Sequence, residues 1–259
     1  MNGEQPLVVI TREADAGTEL AQALASRGLR AWHVPAIAIE PAAEPGDLDR
    51  ALETADADWL VFTSPRAVDV TCARGGWPAA WQSMSSRTLV AAVGPATASR
   101  LAERDISPAV VADASASGGL PVAIARRSGP LAGLRVLWPR GDRARTGWVD
   151  SLEKDGARVV APVTYCTRFV PVDDLTSLVA AISARSIAAV TFFSPSAAES
   201  LARAFGHRTL APLKGAVAIA AVGPTTADVL TALAAPPDVV AERPTPEALA
   251  GALARYIGR

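Results

Sequence analysis

Short apolar runs alternate with longer amphipathic stretches from one end of the chain to the other. Leu7 to Thr11 predicts a strand, Asp15 to Arg27 a helix and Arg30 to Val34 a second strand. Leu48 to Thr54 has helical spacing. Trp59 to Thr63 is a strand followed by a helix from Pro65 to Ala73, and Thr88 to Val93 a strand followed by a helix from Pro95 to Glu103. Ala109 to Ala112 is a short strand, and Gly119 to Arg127 a helix. Further strands begin near Leu134, Ala157, Ala188, Ala216 and Asp238, and helices near Arg145, Asp173, Pro195, Pro224 and Thr245. Strands that are apolar almost without a break, set between helices, belong to a parallel sheet covered on both faces.

The pattern occurs twice. Arg12 and Arg140 stand 128 residues apart in similar settings, as do Gly28 and Gly156. Phe62-Thr63-Ser64-Pro65 matches Phe192-Phe193-Ser194-Pro195 at 130, and Ala92-Val93-Gly94-Pro95 matches Ala221-Val222-Gly223-Pro224 at 129. Four blocks in one order at a nearly constant offset indicate a duplication.

Two segments break the rhythm at equivalent points of the copies. Pro35 to Pro41 and Pro162 to Pro171 are bounded by prolines and alternate in polarity. Proline favours extended chain and resists a central strand, so both read as linkers, near residues 35–41 and 162–171. On that reading residues 1–37 with 167–259 form one discontinuous domain holding both termini, and residues 38–166 form the other. A simple split near residue 130 is the alternative.

Composition narrows the function. Half the residues are hydrophobic, the charged fraction is 20%, and the net charge is −1. That supplies a core and offers no basic surface for nucleic acid. The two cysteines, Cys72 and Cys166, lack CxxC spacing, and the only histidines are His33 and His207, read as structural. Neither a disulfide framework nor a zinc site is expected. The first residues lack a basic and an apolar signal region, and no apolar run is long enough to span a bilayer, so a cytoplasmic location without membrane contact is expected. The six tryptophans read as packing residues.

Ligands of open α/β sheets sit outside the carboxyl ends of the strands. Four strand-to-helix turns share one chemistry there: Thr63-Ser64-Pro65, Gly94-Pro95-Ala96-Thr97, Phe193-Ser194-Pro195-Ser196 and Gly223-Pro224-Thr225-Thr226. A small or hydroxyl residue precedes a proline suited to the first helical turn. The remaining N–H groups and the helix dipole favour an anion. Gly94 and Gly223 allow close backbone approach. Arg12 and Arg140, at first-strand ends, suit carboxylates, although each also reads as a surface arginine packing its stem. Tyr165, in the second linker, is one of two tyrosines and reads equally as an amphipathic core residue. The dinucleotide glycine fingerprint, the P-loop and the nucleophile elbow are absent, which counts against nicotinamide enzymes, kinases and serine hydrolases.

In order along the chain, Ile10-Thr11-Arg12, Trp59 to Val68, Val93-Gly94-Pro95-Ala96-Thr97-Ala98, Val163-Thr164-Tyr165, Phe192 to Ser196 and Val222 to Ala227 resemble the uroporphyrinogen-III synthase family. The resemblance covers the whole chain. It implies two flavodoxin-like parallel-sheet domains joined by a two-stranded linker, with the first βα unit in the second copy's domain. It implies a cofactor-free cyclisation of hydroxymethylbilane, a linear tetrapyrrole polycarboxylate, to uroporphyrinogen III. The last ring is inverted through a spiro intermediate. A monomer is the default expectation, and hydroxymethylbilane synthase is the candidate partner for handover of the substrate. By position, Tyr165 falls on a family residue implicated in activity, as do Thr97 and Thr226, while Ser64, Ser194 and Ser196 fall on ligand-contact turns. Asp105 and Pro236-Pro237 occupy turns where the family often has glycine. Two other readings stand beside this one: a non-catalytic two-domain binding protein for an anionic small molecule, and an oxidoreductase on a doubly wound fold.

Overall fold

A computed structural model describes residues 5–43, 46–54, 56–113, 119–206 and 208–258, which leaves His207 outside the described residues. The chain opens with β1 (Leu7–Ile10), α1 (Ala14–Ala25) and β2 (Arg30–His33), then crosses through β3 (Ile37–Pro41). Its middle runs α2 (Gly46–Thr54), β4 (Trp59–Phe62), α3 (Pro65–Cys72), α4 (Trp77–Met84), β5 (Leu89–Val93) and α5 (Pro95–Ala102). It continues through β6 (Val110–Ala112), α6 (Gly119–Ser128), β7 (Arg135–Leu137), β8 (Arg140–Gly141), α7 (Gly147–Lys154) and β9 (Arg158–Val160). The return is β10 (Val163–Phe169), followed by α8 (Thr176–Ser183), β11 (Ala189–Phe192), α9 (Pro195–Ala204), β12 (Ala218–Ala221), α10 (Pro224–Ala232), β13 (Val239–Val240) and α11 (Pro246–Ile257).

Two compact units result. One holds the residues up to Ala38 and those from Arg168 on, the other Ile39–Thr167. In the first, a five-stranded parallel sheet has the order β13-β12-β11-β1-β2, and in the second, β6-β5-β4-β7-β9. Read from the other edge, the first sheet is the 2-1-3-4-5 order of a flavodoxin-like fold, and the second is its circular permutation. Each sheet takes two strands from one copy of the repeat and three from the other. The strand order reverses between β1 and β11 in one unit and between β7 and β4 in the other, so Arg12 and Ser194, and Arg140 and Ser64, come to neighbouring ends of parallel strands.

The apolar runs bury because successive side chains leave opposite faces of a strand. In the first unit Val9, Val190 and Phe192 pack with Leu178, Leu201 and Leu230, while Val8, Ile10 and Ala189 face Leu20, Leu24, Leu249 and Leu253 on α1 and α11. In the second unit Leu60, Phe62 and Val90 meet Leu52, Val68, Met84 and Leu101, while Trp59, Val61 and Val136 meet Leu120, Ile124 and Leu152. Thr11 and Thr191 are satisfied inside the first unit's core. Thr11 Oγ1 donates to the Thr191 carbonyl at 2.7 Å, and Thr191 Oγ1 to the Val9 carbonyl at 2.9 Å.

The proline-bounded segments are strands rather than irregular linkers. β3 and β10 run antiparallel, with Ala42 N–H donating to the Thr164 carbonyl and Val170 N–H to the Ala36 carbonyl, each at 3.3 Å. The expected two-stranded connection has a third member, because β8 lies beside β10 in a sheet of order β3-β10-β8. Two residues carry no periodicity, which is why β8 was not anticipated. Helix α4 was not anticipated either; it starts after Gly75-Gly76 and stacks Trp77 on Trp81, with ring centroids 5.4 Å apart. Asp105 (φ 58°), Arg185 (φ 53°) and Ala234 (φ 63°) are left-handed without being glycine, and Asp105 and Ala234, 129 residues apart, are repeat equivalents.

Candidate functional site

The chemistry begins at the carboxyl end of β4. Ser64 is extended (φ −156°, ψ 148°) and caps α3, its Oγ accepting the Ala67 N–H at 3.1 Å. The same oxygen lies 3.1 Å from the Tyr165 hydroxyl, and either group can donate. A residue from a helix cap and one from a crossing strand, 101 positions apart, thus share a hydrogen bond.

Tyr165 is aimed by a β-bulge. Val163 pairs with Arg140 and Tyr165 with Gly141, so two residues of β10 oppose one of β8 and Thr164 is extra. Bulges re-aim side chains in this way. Thr164 Oγ1 donates to the Arg140 carbonyl at 3.2 Å, and Asp142 N–H to the Tyr165 carbonyl at 3.0 Å. The Asp142 carboxylate accepts the Thr167 N–H at 2.9 Å and ties down the strand beyond the tyrosine. Arg140 sits above Trp138, 5.6 Å from its ring centroid, and donates from Nη1 to the Gly141 carbonyl at 3.2 Å. Its Nε–H is buried with no hydrogen-bond partner. Trp138 is held in turn by its indole N–H on Thr63 Oγ1 at 3.1 Å. A cavity of about 310 Å3 adjoins the tyrosine, walled by Ile39, Pro41, Leu48 and Val70 and bordered by Arg66.

The neighbouring strand end is different. Gly94, at the head of α5, has φ 79°, a conformation that requires glycine, and no side chain caps the helix. In the other unit Ser194 caps α9, accepting the Ala197 N–H at 3.3 Å, with Ser196 in the first turn. Arg12 lies over the Phe193 ring at 5.1 Å, just beyond the ends of the paired strands β1 and β11. Gly223 heads α10 without a side-chain cap, but its φ of −175° is ordinary extended backbone. The two glycines match in the repeat and differ in what the backbone demands of them.

The four helix starts therefore divide into two kinds. At α3 and α9 a serine already occupies a first-turn N–H. At α5 and α10 the glycine caps leave those donors to a ligand. Thr97 and Thr226 are 2% and 3% exposed, so what these turns present outward is backbone N–H rather than threonine hydroxyl.

Other chemistries lack their parts. Burial pushes the Cys72 thiol up to about 11, away from a nucleophilic thiolate. His33 Nδ1 is buried without a partner, its ring against Gly17. Among the described residues no three His, Cys, Asp or Glu side chains converge as metal ligands would, and no helix is long and apolar enough to cross a membrane.

The family model for uroporphyrinogen-III synthase HemD matches residues 18–251. The chain belongs to the uroporphyrinogen-III synthase family. It is accordingly an enzyme of tetrapyrrole biosynthesis, a cyclising lyase, and the binding-protein reading is not favoured. A mutant uroporphyrinogen III synthase from Thermus thermophilus is similar over 98% of this chain and 99% of its own, at 20% identity and a TM-score of 0.68. Uroporphyrinogen-III synthetase from Helicobacter pylori is similar over 94% of this chain and 96% of its own, at 16% identity and a TM-score of 0.56. At such identities the likeness speaks for the fold. No curated protein sequence matches the chain.

Gly141 and the Thr164 bulge are the parts that sequence reasoning missed. Gly141 stands next to Arg140 but in no turn motif, and its neighbour Tyr165 lies 24 positions away. The one available signal was a glycine directly after a strand-end arginine.

Proposed function

We propose that Tyr165, backed by Ser64, protonates the departing hydroxyl of hydroxymethylbilane, and that in the same unit the glycine-capped start of α5 and the strand-end Arg140 hold carboxylates of the substrate. The observation that carries this reading is the 3.1 Å contact between Ser64 Oγ and the Tyr165 hydroxyl at the head of α3.

The step balances simply. The C–O bond of the hydroxymethyl group breaks, the tyrosine's proton leaves with that oxygen as water, and an azafulvenium cation and the tyrosine phenolate remain; the proton lost when the closed product regains its aromatic rings returns to the phenolate. The substituted carbon of the last ring attacks the cation to form the spiro intermediate, which fragments and recloses inverted. Ser64 Oγ already accepts from Ala67, so its own proton is free to point at the phenolate oxygen as charge develops there. The positive end of the α3 dipole lies behind it. Charge stabilisation of this preorganised kind acts where the transition state needs it. The free bilane also closes without inversion, so the larger task is geometric: to favour attack at the substituted carbon over direct closure.

The carboxylates call for donors rather than a basic surface. The uncapped first turn of α5 and the buried Arg140 Nε–H, which lacks a partner, are such donors. In the other unit, taken by itself, the uncapped first turn of α10 and Arg12, Ser194 and Ser196 are donors of the same kind. The same reading makes the enzyme a cytoplasmic monomer. Its substrate closes unaided to the wrong isomer, which favours handover from hydroxymethylbilane synthase over free diffusion.

Tyr165→Phe tests the acid role. The phenylalanine keeps the ring and removes the proton, so the variant should fold normally and turn over at least about tenfold more slowly. Unchanged turnover would remove Tyr165 from that role.

A further inference from the structure

The side chain of Tyr165 occupies the space that a side chain at position 141 would need. A β-carbon built at position 141 would sit 2.6 Å from Cζ of the tyrosine, 2.7 Å from Cε2 and 2.9 Å from the hydroxyl oxygen. Real contacts of a methyl group do not close below 3.0 Å. Gly141 shows no left-handed backbone, so alanine meets no conformational obstacle there; the nearest atoms it would meet all belong to the tyrosine.

From this geometry we infer that Gly141 is a positioning residue for the reaction: its missing side chain is the seat that holds the Tyr165 hydroxyl on Ser64. The inference rests on the role assigned above to Tyr165. The atoms in the way belong to the far end of a side chain, so the ring yields and the backbone stays. Relief takes a shift of somewhat under about 1 Å to reach ordinary contact. A shift of that size in the wrong direction stretches the 3.1 Å bond to Ser64 beyond hydrogen-bond range. Misplacement on that scale costs on the order of a hundredfold in rate. Three features converge on the seat. The bulge at Thr164 turns the tyrosine toward it, Asp142 N–H on the Tyr165 carbonyl fixes the height of the strand, and Arg140 Nη1 on the Gly141 carbonyl fixes its floor.

The chain's two tyrosines, Tyr165 and Tyr256, make the test direct. Tyrosine ring-labelled protein gives two sets of NMR resonances, assigned by the loss of one in Tyr165→Phe. In Gly141→Ala the Tyr165 resonances should move and those of Tyr256 stay. Turnover should fall as far as in Tyr165→Phe with KM little changed, and Gly141→Ala/Tyr165→Phe should be no slower than Tyr165→Phe alone. Gly147→Ala, where an added β-carbon meets nothing within 4 Å, should behave as wild type. Unmoved Tyr165 resonances, or full turnover in Gly141→Ala, overturn the inference. So does a further loss of turnover in the double variant, which would mean that Gly141 acts through something else. If the resonances move while Tyr165→Phe itself turns over normally, the seat stands and the acid role falls. Melting supplies a check that needs no activity. Gly141→Ala should lower the melting temperature in the wild-type background and not in a Tyr165→Ala background; equal losses in both would overturn the contact.

Discussion

Ser64 does two things with one oxygen, and substitution can separate them. It caps α3 through the Ala67 N–H, and it meets the Tyr165 hydroxyl, both at 3.1 Å. Ser64→Ala removes both. Loss of the cap should cost about 1 kcal/mol. In a domain of this size that is a fall of roughly 4 °C in the melting temperature. Loss of a hydroxyl bond worth about 0.5–1.5 kcal/mol in the transition state should slow turnover about 2- to 10-fold. Ser64→Asp isolates the second effect. Aspartate is as good an N-cap and its charge suits the helix dipole, so stability should return to within about 0.5 kcal/mol of wild type. Turnover should not return, because a carboxylate beside the phenol has no proton to give it and repels an anionic substrate. The assay is a thermal melt beside a single-turnover measurement of cyclisation for each variant. A Ser64→Asp enzyme as active as wild type, or a Ser64→Ala enzyme that loses stability and no rate, would refute the shared-oxygen argument.

Two further expectations come from the scaffold. Ala234 holds a left-handed conformation (φ 63°) that costs a non-glycine residue about 1–2 kcal/mol, so Ala234→Gly should raise stability by about 1 kcal/mol once the more flexible unfolded chain is allowed for; a denaturant midpoint that fails to rise would contradict it. The Asp58 carboxyl is held below its usual range chiefly by the Arg135 side chain, whose Nη2 lies at 3.2 Å, with the Arg135 N–H adding a bond at 2.8 Å. A depressed carboxylate stabilises the fold above its unfolded value, about 3.9, and the benefit is lost as pH falls through the folded value. Asp58→Asn should therefore be less stable than wild type at neutral pH, with the gap closing below about pH 4. A gap that does not change with pH would show that the charge is not the cause.

The repeat was legible because its blocks carry local rules. Proline at the first position of α3, α5, α9 and α10 marks where each helix starts, and the apolar runs before them mark the strands. What stayed hidden is non-local. β8 is two residues held by its neighbour rather than by propensity, and the bulge at Thr164 exists only in the pairing of β10 with β8. The four helix starts looked alike as sequence; they part only when Ser64 and Ser194 are seen spending their oxygens on Ala67 and Ala197 while Gly94 and Gly223 spend none. Arg140 read as either a ligand residue or a surface arginine. Its buried Nε–H, which lacks a partner, favours the first. Asp105 read as a departure from a glycine turn, yet the backbone keeps the left-handed form and accepts the strain.

The most direct test of the account is the isomer made from hydroxymethylbilane generated in situ. With the purified protein present, oxidation and separation of the products should show the type III isomer far in excess of type I. Folded protein that leaves type I as the product would contradict the account at its centre, whatever the fate of Tyr165.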